Sequence, residues 1–215
     1  MRFVILFFFC LSSLVFSKDT NKVPIQTIVF LGDSLTAGLG LPTQELAFPN
    51  LLENRFNKEG LNIKILNAGQ SGDTTSGGLE RLSWVLEENL DVFVLELGAN
   101  DMMRGVKVPT IKANLKQIIQ KVKLRFPNAK ILVLGLYAFP NLGKSYRKEF
   151  DRIYKDIAAE EKVALVPFFI ERVAGIKSLN QKDGIHPTEE GHRLIANTVY
   201  PHLKKFLSAP KPTKR

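Results

Sequence analysis

The segment IQTIVFLGDSLTAG, residues 25–38, runs from an apolar, β-branched stretch straight into a glycine and a cluster of polar residues. A run of that length and composition reads as a buried strand. Gly32 permits the sharp turn that must follow it, and Asp33 and Ser34 stand where a helix would begin. At the end of a parallel strand this is where a doubly wound sheet holds its ligand. On its own, Gly-Asp-Ser reads first as a plain helix cap.

Working outward, similar runs occur at Ile63 to Leu66, Val92 to Leu97, Ile131 to Leu136 and Val163 to Val166. Between them lie stretches with helical spacing. Ile111, Leu115, Ile118, Ile119 and Val122 share one face, with Lys112, Lys116 and Lys123 elsewhere on the same helix. Phe150, Ile153, Tyr154 and Ile157 share another face, and a last helix is predicted over 189–206 with Leu194, Ile195, Val199 and Leu203 inward. Continuously apolar strands alternating with helices predict a three-layer α/β/α domain, a doubly wound five-stranded parallel sheet covered on both faces.

Three more polar clusters stand out. Asn67-Ala68-Gly69-Gln70-Ser71-Gly72-Asp73 follows the second strand, and its Gly72 N–H could face a reacting carbonyl oxygen. Glu96-Leu97-Gly98-Ala99-Asn100-Asp101 follows the third and brings the Asn100 amide, a recurrent type of oxyanion donor, to the same sheet edge. Each could also be an ordinary turn with capping side chains. Asp183-Gly184-Ile185-His186-Pro187 supplies an imidazole and, three residues before it, a carboxylate able to fix its tautomer. His192 and His202 fall in the last helix and read as surface or packing residues.

Other chemistries fail on the residues. There is no Gly-x-Ser-x-Gly elbow. Gly143-Lys144-Ser145 lacks the first glycine of a phosphate-binding loop, Ala138 standing in its place, and Gly38-Leu39-Gly40 lacks the third glycine of a dinucleotide fingerprint, Thr43 standing there. No metal-ligand spacing occurs among the histidines. No cofactor or metal is expected.

The four clusters, in this order, resemble the SGNH or GDSL family of esterases and lipases, over a span from about Ile25 to Leu207. Within it, NAGQSGDTTSGGLERL, LELGANDMMRG and VPFFIERV look most like the bacterial periplasmic thioesterase I group, whose members also act as arylesterases and lysophospholipases. The resemblance implies a flavodoxin-like sheet. It further implies Ser34 as nucleophile, His186 as general base and acid, and Asp183 orienting the histidine. The oxyanion hole it implies is made of the N–H groups of Ser34 and Gly72 and the Asn100 amide. An acyl pocket is expected from Tyr137, Phe139 and Leu142 after the fourth strand, and from Ile176 and Leu179 before Asp183. Expected substrates are acyl esters, acyl thioesters or lysophospholipids, with carbohydrate O-deacetylation on the same three residues as the alternative.

Residues 1–17, MRFVILFFFCLSSLVFS, carry one basic residue, an apolar run and short residues before Ser17, and read as a secretory signal peptide. The protein is therefore expected in the periplasm or outside the cell, with a hydrolase domain over 18–207 and a basic tail over 208–215. The single cysteine, Cys10, lies in the leader, so neither a disulfide framework nor a catalytic thiol is expected; bulky Phe8 and Phe9 disfavour its lipidation. The net charge of +9 is partly held by the tail. It suggests weak contact with anionic membrane surfaces rather than nucleic acid, for which no recognition motif is present. A monomer is expected.

Overall fold

The computed structural model describes residues 24–86 and 89–207. The leader expected over 1–17, with Cys10, and the tail expected over 208–215 lie outside them.

Five strands, β1 (Gln26–Gly32), β2 (Ile63–Gly69), β3 (Val92–Glu96), β4 (Lys130–Leu134) and β5 (Ala164–Val166), form one parallel sheet in the order β2-β1-β3-β4-β5. The predicted doubly wound sheet is found. Its central strand is β3, buried along its whole length, and in β1 beside it Ile28 to Leu31 are all fully buried. β4 is shorter than its apolar run because the ladder ends at Gly135: its N–H makes the last bond to β5, to Val166 O at 2.8 Å, while its carbonyl accepts out of register from Phe169 N–H. Leu136 is thereby swung out of the sheet toward the site.

The helices are α1 (Ser34–Ala37), α2 (Phe48–Lys58), α3 (Thr75–Glu80), α4 (Leu82–Val85), α5 (Ala99–Met103), α6 (Val108–Arg125), α7 (Lys144–Glu161) and α8 (Glu189–Lys204). α2 and α8 pack together on one face, and α6 packs against α3 and α7 on the other. The inward residues predicted for α6 and α7 are buried. In α8, Ile195, Val199 and Leu203 are buried and Leu194 is only partly so. α8 ends two residues before the predicted 206, where Phe206 N–H turns back to Leu203 O. Lys112 and Lys116 are partly exposed as expected, yet both bridge to Glu160 of α7 at 2.7 and 2.9 Å.

α2 was not anticipated, though its signal is in the sequence. Phe48, Leu52 and Phe56 recur every fourth residue and Pro49 sits in the first turn, which suits a helix start.

In this strand order, chain crossovers leave β1 in opposite directions, toward β2 and toward β3. The crevice beyond the carboxyl ends of β1 and β3 is the switch point where such sheets bind ligands. Gly32 pairs there with Gly69 on one side and Glu96 on the other.

Candidate active site

Ser34 is the first residue of α1 and is nearly buried. The turn into it needs Gly32. A Cβ there would collide with the Thr36 hydroxyl and stand 2.8 Å from Glu96 Oε2, so any other residue would force these side chains to shift. Asp33 caps the helix, its Oδ1 accepting from Leu35 N–H at 3.0 Å.

The loop from Asn180 to Pro187 carries the histidine. A β-bridge joins its two ends, Gln181 N–H donates to His186 O at 2.7 Å, and Gly184 makes the turn with a positive φ of 72°. Within that turn Asp183 Oδ1 accepts from the backbone N–H groups of Ile185 and His186 at 2.9 and 3.0 Å. Its Oδ2 lies 2.7 Å from His186 Nδ1, and His186 Nε2 lies 2.9 Å from Ser34 Oγ. These bonds, led by the one to His186, hold the Asp183 carboxyl at about 2, so it is an anion near neutral pH. An anionic acceptor at Nδ1 leaves Nε2 free to take the serine proton.

Gly72 and Asn100 reach the same edge from β2 and β3. Gly72 adopts a positive φ of 82°, and its carbonyl accepts from Arg104 Nη2 at 2.9 Å. Asn100 is buried and donates one amide hydrogen to Asp33 Oδ2 at 3.2 Å, leaving its second hydrogen for another acceptor. Asp101 ties the two loops together, accepting from Thr75 N–H at 2.8 Å and from the Thr75 hydroxyl at 2.6 Å. Arg81 does the same for β1 and β2, donating to Asp73 Oδ2 at 2.7 Å and to the carbonyls of Gly32 and Ala68.

These supporting residues escaped the sequence reading. Each bond spans from eight to more than sixty residues, and no local pattern announces such a partner. Gln181 is another, clamping the histidine loop to Leu39 O through its side-chain amide.

A cavity of about 470 Å³ opens beside Ser34. Tyr137 and Phe139 line it as expected, together with Leu136, Met102, Met103, Phe168, Ile170, Val173 and Ile185. The expectation is corrected for Leu142, Ile176 and Leu179, none of which lines it. Leu142 and Leu179 sit in single helical turns that press them against the core, and Ile176 faces solvent. Their apolar character suited a pocket equally well; only the direction of the turn separates the two.

His192 is buried on α8, stacked at 6.2 Å on Phe48, with Nδ1 accepting the Phe48 N–H. Burial pulls its pKa down to about 4, so it is a neutral packing residue at physiological pH.

A serine hydroxyl bonded to an imidazole that is itself bonded to a carboxylate, at the mouth of an apolar cavity, defines a serine hydrolase. This chain belongs to the GDSL-like lipase/acylhydrolase family, whose model matches residues 30–194. It is 42% identical to esterase TesA of Pseudomonas aeruginosa over 189 residues, covering 87% of this chain and 92% of that protein. It is 36% identical to thioesterase 1/protease 1/lysophospholipase L1 of Escherichia coli K12, covering 85% and 86%. Among solved structures it resembles the psychrotrophic esterase EstA of Pseudoalteromonas, inhibited there by monoethylphosphonate, with a TM-score of 0.79 and 35% identity over 84% of this chain and 98% of that one.

Proposed function

We propose that the protein hydrolyses acyl esters, and with them acyl thioesters and lysophospholipids, through an acyl-enzyme on Ser34. The observation that carries this reading is the continuous line from Asp183 through His186 to Ser34 at the mouth of an apolar cavity. Ser34 Oγ attacks the acyl carbonyl carbon as its proton passes to His186 Nε2. The oxyanion is met by the N–H groups of Ser34 and Gly72 and by the second amide hydrogen of Asn100. Collapse expels the alcohol or thiol, which leaves with the proton from His186. Water then attacks the acyl carbon as His186 takes its proton, and collapse breaks the bond to Ser34 Oγ, which regains that proton from His186 as the carboxylic acid is released.

The relatives' names, esterase for one and thioesterase and lysophospholipase for another, support this substrate class. So does a lining dominated by aliphatic and aromatic side chains, which suits a hydrocarbon tail. Nothing favours the carbohydrate O-deacetylase alternative, since such a lining offers a sugar few hydrogen-bonding partners.

The pattern of residues 1–17 supports export to the periplasm or beyond, with the hydrolase domain over 18–207 and a tail over 208–215. Exposed Met103, Tyr137, Phe139 and Ile185 at the cavity mouth, with exposed Arg104, Lys177 and Lys182 beside them, support weak contact with anionic phospholipid surfaces.

The test is a series of p-nitrophenyl esters from acetyl to palmitoyl, run beside the Ser34→Ala variant. Serine-dependent turnover extending to medium or long chains is expected. Turnover confined to acetyl, or unchanged in Ser34→Ala, would sink the reading.

A further inference from the structure

Directly beneath the candidate site lie two buried carboxyl groups that the reaction scheme does not use together. Glu96, at the end of β3, and Asp33 are both fully buried. The bond from Asp33 N–H to Glu96 Oε2 sets the two carboxyl groups next to each other, so that each acts on the other. Among the described residues neither forms an ion pair with a lysine or arginine. Asp33 Oδ1 accepts from Leu35 N–H and Oδ2 from the Asn100 amide, both fixed donors. Glu96 Oε2 accepts from the Thr36 hydroxyl at 2.7 Å and from Asp33 N–H at 3.2 Å. Among the described residues no group donates to Glu96 Oε1.

Two carboxylates this close and this dry cannot both be ionised. The donors decide which one is neutral. Asp33 is met by N–H groups on both oxygens and is the anion. The orphaned oxygen of Glu96 is satisfied only if it carries a proton and donates it.

We infer that Glu96 is a neutral carboxylic acid that donates its proton to the Asp33 carboxylate and so fixes the acceptor that orients Asn100. Glu96 is a positioning residue, acting on the site through Asp33 and Asn100. The inference rests on the proposed oxyanion role of Asn100 for its catalytic consequence, but not for the protonation state itself. Burial raises the pKa of Glu96 well above the carboxylate range, and the facing charge of Asp33 raises it further. The other groups around the pair agree. Tyr154 of α7, bonded to Leu97 O, and Asp101 of α5 bring no positive charge, and the His186 imidazole, bonded to Asp183 and Ser34, acts electrostatically on Asp33.

Because Asp33 is then purely an acceptor, it accepts only from Nδ2 of Asn100, never from its carbonyl. Ionisation of Glu96 would set a second charge against Asp33 and loosen that anchor.

The experiment compares Glu96→Gln and Glu96→Ala with the wild type. Gln places an N–H where the acid proton stands, so kcat is expected within about threefold of wild type, with the alkaline fall in kcat abolished. Ala removes the donor, and loss of one such bond lowers kcat about tenfold with little change in KM. Infrared spectroscopy near neutral pH should show a protonated carboxylic acid band that Glu96→Gln removes. Stability supplies a readout independent of turnover. A carboxyl whose folded pKa is raised gives stability that is complete below its unfolded pKa and is lost as pH rises toward the folded value. The Tm of the wild type should therefore fall relative to Glu96→Gln as pH is raised. A band unchanged by Glu96→Gln, or a Glu96→Gln kcat as low as that of Asn100→Ala, would overturn the inference. If Asn100→Ala leaves turnover unchanged while the band behaves as expected, the oxyanion reading fails and the buried acid stands.

Discussion

At the scale of single residues, the site depends on side chains whose partners are few and fixed. Asn100 is the clearest, with one amide hydrogen committed to Asp33 and one left for the oxyanion. Asn100→Ala should lower kcat by about 10²–10³ with a much smaller change in KM, because the bond it removes strengthens only as negative charge develops. Steady-state kinetics on a soluble ester would check it. Gly32 is held by close approach rather than by chemistry. In Gly32→Ala the new methyl collides with Thr36 and Glu96, and a loss of about 1–3 kcal/mol is expected in denaturant titrations.

At the scale of elements, α2 and α8 show how helices far apart in sequence stabilise the face behind the site. Phe56 of α2 is fully buried and its ring stacks at 5.1 Å on Tyr200 of α8, over which Arg55 also lies. Phe56→Ala should cost about 3–5 kcal/mol. The same pair carries a pH dependence through His192. Its folded pKa of about 4 lies below its ordinary value of 6.5, so the unfolded chain takes up a proton that the folded chain refuses. The stability from this group is complete above the unfolded value and is lost as pH falls from about 6.5 toward 4, by about 2–3 kcal/mol. His192→Phe, which keeps a ring against Phe48, should flatten the fall in Tm over that interval. A Tm slope there unchanged by the substitution would show that other groups carry it.

At the scale of the whole molecule, the sheet's switch point sets the polar edge, and the turns after β4 and β5 wall in the apolar cavity beside it. Ala138 lies in that wall and is almost fully buried. Ala138→Leu should narrow the cavity, lowering kcat/KM for long acyl esters while sparing acetyl esters, as a chain-length series would show. Much of this layout was legible beforehand. Ile28 to Leu31, Val92 to Leu95 and Ile131 to Leu134 announce buried parallel strands because both faces of a covered sheet demand apolar side chains. Ser34, Gly72 and Asn100 could be singled out because each lies within a few residues of the end of such a strand, and Asp183 with His186 because a short loop keeps the pair together; the roles expected of them came from the joint resemblance of the four clusters to a known family. Local pattern thus determined the strands, the three long helices α6, α7 and α8 and the polar edge, since those depend on neighbours within a few residues. Tertiary structure alone decided that Tyr137 and Phe139 line the cavity while Leu142 and Leu179 turn into the core, and that Glu96 lies against Asp33. Those outcomes depend on which distant segments meet, and the identity of a residue does not encode the direction in which a turn delivers it.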